Sequence, residues 1–448
     1  MSGFLPTPPF KHDADSFVMP GISTKTTTLT ENLLIENNKN HSLFFNDRGF
    51  HNHTAHQLLS VYALGANVNR LEEVYAAQAA MQRPYQSSSG SVTRENFRSK
   101  LGDIAHDKGF IDFFLNEIKA SGPTATIRRW LFSGDLMART LGGAFHPLIH
   151  IGYGIEFNLP GMVAEGLAMA ACTGNSLLEV IPNHPDVSQQ HLDSTEFASL
   201  TGTARSVAKD FLSGLTAEYS KKLGLDITRK TPERAVHSTN PIISILERIR
   251  KDPVFDLKDT TKSLFSTDVL KDPKWAASIK AYASEWIIKT TPQDVQARFR
   301  ELYFACIYIM AATGISDAGI SINFFLMHTL TSTHALYHLL FSLSPSESAI
   351  LVHAQLVTIL VHYVATGRLA INTNLLLAYQ SPNSDINSSN PWLGVVDLAV
   401  KTEEPHVVKA VRAAALGQIL YGHENNAEDD LWIKAAQLTV DQKGNWGR

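Results

Sequence analysis

Apolar residues recur every three or four positions along most of this chain, and no alternating pattern bounded by Asn-Gly or Asp-Gly turns marks a half-buried strand. That spacing lays one apolar stripe along each segment, so the core must form between helices. Leu58, Leu59, Tyr62 and Leu64 make the first stripe, and Gly65 supplies a helix C-terminus. Val68, Leu71, Val74 and Tyr75 begin a second, so the chain opens as a helical hairpin. The same period predicts helices over residues 94–120, 126–141, 147–171, 194–223, 241–251, 295–312, 323–340, 344–366 and 405–420. No Asn-Gly or Asp-Gly turn joins alternating segments, and no Gly-rich turn links a strand to a helix. Residues 1–40 carry a Thr-rich patch, Thr24 to Thr30, without a clear period and read as an extended, irregular N-terminal arm. The polar run 381–391 reads as a surface loop. No internal repeat appears, so the expected fold is all-α: one large multi-helix domain over residues 41–448 behind an arm of residues 1–40.

Charge and composition narrow the function. With 44% hydrophobic residues among 448, the chain can bury a large core. Its 39 Lys+Arg against 43 Asp+Glu give a net charge of -4, which removes the drive toward a phosphate backbone and disfavours nucleic acid as a partner. Two cysteines, Cys172 and Cys306, are too few for a disulfide framework and suit a reducing compartment. The N-terminus lacks a basic-then-apolar leader. The most apolar run, 351–365, is interrupted by His353, Gln355 and His362 and is short of a bilayer span. The expectation is a soluble, cytoplasmic protein with no membrane partner.

Histidine is the outlying residue, with 18 copies, nearly twice a typical share by a rough count. Four clusters fall on helices or helix starts: His51, His53 and His56; His146 and His150; His328, His334 and His338; and His406 with Lys409. Residues three or four apart share a helix face, so each cluster can aim imidazoles at one point. Imidazole suits Fe, Zn, Cu and Ni, and bundle metals are commonly held from facing helices. A single helical histidine is more often a hydrogen-bonded core or surface residue than a ligand. Four clusters in apolar helices weigh against that reading, because each buried imidazole without a partner costs about 1–3 kcal/mol and a shared metal removes the cost.

Other motifs are weaker. His146 and His150 frame no Glu, so they are not the HExxH of a zincin. His184-x-Asp186 and His191-x-Asp193 have the start of a 2-His-1-carboxylate iron site, but they lie in a Pro/Gln/Ser-rich segment that favours loop and capping roles. Gly152-Tyr153-Gly154 follows no strand and is not a dinucleotide fingerprint. Arg368 after Gly367 reads as a helix cap. Phe324, Phe325, Tyr303, Tyr308 and Tyr337 read as core, although some aromatics must face any planar ligand bound inside such a bundle. A zinc-type metal hydrolase on the same ligands and a non-catalytic helical ligand-binding protein both stay open.

In order and spacing, Asn52-His53, His146 to Ile149, His328 to Thr331 and His406 to Lys409 resemble the questin oxidase-like family of fungal anthraquinone ring-opening oxygenases. The resemblance runs from about Phe50 to the C-terminus. It implies an oxygen-dependent opening of the central ring of an anthraquinone, or its reduced anthrone or hydroquinone form, to a benzophenone-type acid in polyketide secondary metabolism. The chemistry implied is Baeyer–Villiger-like or that of a dioxygenase. It further implies O2 as co-substrate and non-haem Fe(II) held by His53, His146, His328, His406 and Lys409. Lys409 would have to be carboxylated by CO2 or present a deprotonated amine, since a plain ammonium repels a cation. His56 and His150 remain substitute ligands. Together with His334, Tyr153 and Thr331 they are expected around the site as catalytic or orienting groups. No motif for NADPH or a flavin is recognisable, so a requirement for NADPH would point to a partner quinone reductase.

Overall fold

The computed structural model describes residues 3–6, 16–86, 90–184, 240–256, 264–383, 389–422 and 430–447. Its helices in chain order begin with α1 (Thr24–Asn40), α2 (Thr54–Ala63), α3 (Val68–Ala79), α4 (Asp107–Ser121), α5 (Pro123–Leu131) and α6 (Leu136–Leu141). Next come α7 (His146–Glu156), α8 (Pro160–Cys172), α9 (Pro241–Lys251), α10 (Ser266–Leu270), α11 (Pro273–Ser284) and α12 (Pro292–Ile307). The last are α13 (Phe324–Leu340), α14 (Pro345–Ala365), α15 (Thr373–Ala378), α16 (Pro391–Lys401), α17 (Pro405–Tyr421) and α18 (Leu431–Asp441). Proline stands in the first turn of α5, α7, α8, α9, α11, α12, α14, α16 and α17. It has no N–H to leave unpaired there, and its fixed φ already suits a helix. The one sheet among the described residues is a two-stranded ribbon, Ile315–Ser316 with Gly319–Ile320. The fold is all-α.

Helix α7 packs against α8 and α13, while α17 packs against α2, α13 and α18, and α2 touches α7. The starts of α2, α7 and α17 and the first turns of α13 are thereby brought together inside the core. Every described residue of α13 from Leu326 to Leu340 is buried, polar ones included.

Several expectations need correction. The extended arm is helical over Thr24–Asn40, where a Ser23–Thr26 capping box starts α1. Its threonines fit because hydroxyls return to the preceding turn, as Thr30 Oγ1 donates to the Thr26 carbonyl at 2.8 Å. Leu33, Leu34 and Asn37 are buried, and α1 packs on α2 and α3. The stretch 94–120 is helical only in Asp107–Ser121. It begins with short 3-10 turns at Arg98–Lys100 and Ile104–His106, separated by Gly102 at φ 84°. The stretch 147–171 breaks between α7 and α8, where Asn158 has φ 54° and Pro160 offers no N–H. The stretch 126–141 breaks at Gly134, φ 55°.

Helix α14 reaches back to Pro345 and is 21 residues long, enough by length and composition to cross a bilayer, yet 83% of its most apolar window is buried. It is a core helix. Arg368 caps as expected, its Nη1 donating to the carbonyls of Ile249, Arg250 and Asp252 at 3.4, 3.3 and 3.0 Å at the end of α9. The segment 194–223, His191-x-Asp193 and Asp186 lie outside the described residues.

Candidate metal centre

Four histidines from four helix starts meet in the core. His53 precedes α2, His146 opens α7, His328 follows the first turn of α13, and His406 is the second residue of α17. Each is buried. Local structure fixes how three of the four rings are turned. Ahead of His146, Gly143, Ala144 and Phe145 are all left-handed, with φ 55°, 52° and 63°. For the two non-glycine residues such backbone costs about 1–3 kcal/mol each and persists only where packing holds it. The turn delivers the Gly143 carbonyl to His146 Nδ1 at 2.6 Å. On α13, the Asn323 side chain caps the Phe325 and Leu326 amides, and His328 Nδ1 donates to the Phe324 carbonyl at 2.8 Å. On α17, Glu404 Oε2 caps the amides of His406 and Val407, while its Oε1 accepts from His406 Nδ1 at 2.5 Å.

These bonds decide the tautomers. A carbonyl or carboxylate can only accept, so His146, His328 and His406 carry their protons on Nδ1 and present bare Nε2 lone pairs. His146 Nε2 lies 2.8 Å from His53 Nε2 and 3.3 Å from His328 Nε2. The ligand nitrogens of His53, His146 and His406 all lie within 4.8 Å of one another. His406 Nε2 is buried with no hydrogen-bond partner among the described residues. Lone pairs facing each other across 3.3 Å repel unless something electropositive stands between them. Burial, and then neighbouring imidazoles and Lys409, holds His53, His146 and His328 well below the usual histidine range, and His406 is pushed down to about 4. The cluster is neutral and rich in free lone pairs, which is the donor set a soft-to-borderline cation needs.

Lys409 lies one turn after His406, is 1% exposed, and its Nζ has no hydrogen-bond partner among the described residues. Burial pushes its ammonium down to about 7 against the opposing pull of Glu404, so a neutral amine is accessible.

A cavity of about 580 Å³ opens onto His53 and His146. Phe44, Phe50, Phe265, Phe324 and Phe325 give it aromatic walls, and His51 and His362 add imidazoles. The expected neighbours fall into place unevenly. His56 Nε2 and His150 Nδ1 are 3.0 Å apart, and His150 Nε2 donates to Glu165 Oε2 at 3.0 Å. Because the carboxylate accepts, His150 presents Nδ1 as an acceptor, His56 donates from Nε2, and His56 Nδ1 is left bare and without a partner among the described residues. Tyr153 lies flat on His56, ring centroids 5.3 Å apart, and its hydroxyl meets Ser60 Oγ at 2.6 Å. His56, His150, Tyr153 and Thr331 are not among the cavity-lining residues, and the Thr331 hydroxyl turns to the His328 carbonyl at 3.4 Å.

His334 and His338 sit apart with Glu156, their Nε2 atoms 3.9 and 3.6 Å from Glu156 Oε1. Arg412 already supplies the cation there at 2.5 Å, so this second His-His-Glu group is an ion-pair core rather than a vacant metal cage. Glu165, Glu404 and His362 are site residues that the sequence did not single out, while His51 of the first cluster lines the cavity instead of joining the four-histidine group. Glu404-Pro405-His406 carried a signal in its acidic cap and helix-opening proline, and Glu165 was the single charge in the apolar helix Pro160–Cys172.

The left-handed turn is testable by itself. A Cβ on Gly143 would lie 2.6 Å from His51 Cε1. Gly143→Ala is expected to cost about 1–3 kcal/mol, read as a lower denaturation midpoint. An unchanged midpoint would show that the turn yields without cost.

Fold and site together define a helical protein with a buried polyhistidine centre beneath an aromatic-walled cavity. A sequence model described as questin oxidase-like matches residues 50–414. The chain belongs to the questin oxidase-like family. It is 26% identical to a questin oxidase of Aspergillus terreus over 93% of this chain and 89% of that protein. It is 22% identical to the Baeyer-Villiger monooxygenase dmxR6 of a Cryptosporiopsis species over 95% and 90%. Over a shorter stretch, 33% of this chain and 35% of the relative, it is 37% identical to the Baeyer-Villiger oxidase ptaJ of Pestalotiopsis fici.

Proposed function

We propose that this chain is a non-haem iron oxygenase that opens the central ring of an anthraquinone, or its reduced form, to a benzophenone-type acid by a Baeyer–Villiger-like oxygen insertion, acting in the cytoplasm. The observation that carries the metal reading is the convergence of bare Nε2 lone pairs whose tautomers are pinned from behind by Gly143, Phe324 and Glu404. The relatives' names support the oxidase chemistry, and the family resemblance supplies the anthraquinone class.

In this reading His53, His146, His328 and His406 hold the iron, with Lys409 as a fifth ligand once its neutral amine has taken up CO2. Bound there, ferrous iron supplies a site for activating O2 beside the substrate. The residues around it do the rest. Phe324, Phe325 and Phe44 flank a planar ring system and exclude water from it. Glu165 orients His150, which orients His56 behind the cavity wall, edge-on to His53 with ring centroids 5.9 Å apart, so that the chain holds a ligand ring in place. Tyr153 keeps the His56 ring in plane, and Thr331, one turn beyond His328, steadies that ligand through its helix. Any NADPH requirement belongs to a partner quinone reductase that supplies the reduced substrate.

The test is elemental analysis of purified protein together with oxygen uptake on an anthraquinone or its hydroquinone. Iron near one equivalent with substrate-dependent oxygen consumption is expected. Zinc with no oxygen uptake would sink the oxygenase reading and leave the hydrolase. Glu404→Ala is expected to lower iron affinity about 10–100-fold, since the imidazole it orients becomes free to turn. Unaltered iron binding in a chelator competition would remove Glu404 from the centre.

A further inference from the structure

Two imidazoles of the cavity wall take no part in the four-histidine cluster. His51 and His362 both line the cavity, and both are 4% exposed. His362 lies parallel to Phe325, centroids 5.9 Å apart, and against Phe145 at 5.1 Å, which makes it one more flat plate in an aromatic wall.

His51 is different, because it is locked in place and unsatisfied. Its backbone pairs with Phe44 in an isolated bridge, flanked by Phe45 N–H to the Phe50 carbonyl at 2.9 Å and Asn52 N–H to the Leu43 carbonyl at 2.8 Å. Its ring lies flat on His146, centroids 4.7 Å apart at 12°, and presses on Gly143, where only the absence of a Cβ leaves room. A ring held on three sides cannot swing to find a partner. Its Nε2 is nonetheless buried with no hydrogen-bond partner among the described residues. Such groups are rare in native interiors and usually await water or a ligand.

We propose that His51 is the specificity-determining residue of this cavity, hydrogen-bonding through Nε2 to a phenolic hydroxyl of a planar aromatic ligand stacked along Phe324 and Phe325. The ligand class rests on the function proposed above, while the role of His51 rests on its own geometry. With its proton on Nδ1 the imidazole presents Nε2 as an acceptor for that hydroxyl. A polar site built to meet a hydroxyl discriminates against the analogue lacking it, because its own nitrogen is then left unpaired.

The experiment titrates protein, as purified and under nitrogen, with 2-hydroxyanthraquinone and 2-methylanthraquinone, which match in shape, and follows tryptophan fluorescence. Wild type is expected to prefer the hydroxylated probe at least tenfold. His51→Phe, which keeps a flat ring on His146, is expected to bind both probes equally with wild-type metal content, and His51→Gln to keep part of the preference. If His51→Phe does not fold, His51→Leu carries the same expectation. Tenfold preference persisting in the apolar variant overturns the assignment, as does a wild type that binds both probes equally. A wild type that binds neither probe overturns the ligand class, and the inference with it.

Discussion

Lys409→Arg is expected to abolish turnover although length and charge are nearly kept. A guanidinium cannot take up CO2 or coordinate a cation, and it stays charged in a site where the native amine is pushed down to about 7. Iron content should fall with activity, because the variant places a fixed positive charge one turn from His406. Lys409→Glu is expected to recover part of the iron, since a carboxylate on a shorter stem offers the same donor at imperfect reach. Wild type depleted of CO2 should lose activity and regain it with bicarbonate. Only the neutral amine attacks CO2, so reloading at equal dissolved CO2 should run about tenfold faster at pH 8 than at pH 6, the two sides of a lysine pKa near 7. Full turnover and iron in Lys409→Arg would reduce Lys409 to a packing residue and leave a centre of histidines alone.

The second large effect concerns the histidines. His53→Ala, His146→Ala, His328→Ala and His406→Ala are each expected to lower bound iron at least tenfold while far-UV circular dichroism stays near wild type. The helices rest on apolar packing between α7, α8, α13 and α17 and not on these rings. His334→Ala is the control. Its Nε2 faces Glu156 and Arg412, so iron should stay at the wild-type level. Full iron occupancy in two or more of the four alanine variants would end the assignment.

These expectations rest on features of unequal visibility in the chain. Helical periodicity was plain because apolar spacing reports local structure, and α2 stops just before Gly65, φ 77°, the stop its sequence marks ahead of α3. Proline and glycine punctuation inside apolar runs cuts helices that periodicity alone runs together. Asn158 with Pro160 splits one predicted helix into α7 and α8, and Gly134 splits another into α5 and α6. Helix α1 was hidden because its buried face is largely threonine and asparagine, satisfied by hydrogen bonds within and beside the helix. A hydropathy pattern does not register such a face.

By itself, then, the sequence determined an all-α chain with imidazoles at three- and four-residue spacing on several helices, because both properties follow from the helical repeat. It did not determine which nitrogen each ring would present. That was decided in three dimensions by the left-handed turn at Gly143 to Phe145, by the Phe324 carbonyl and by the Glu404 carboxylate. Nor could spacing separate His328 from His334 on one helix, although α13 turns the first toward His146 and the second toward Glu156. The reason is physical. Helix period fixes which residues share a face, but what that face meets depends on how distant helices pack, and only packing left His51 Nε2, His406 Nε2 and Lys409 Nζ buried without partners among the described residues.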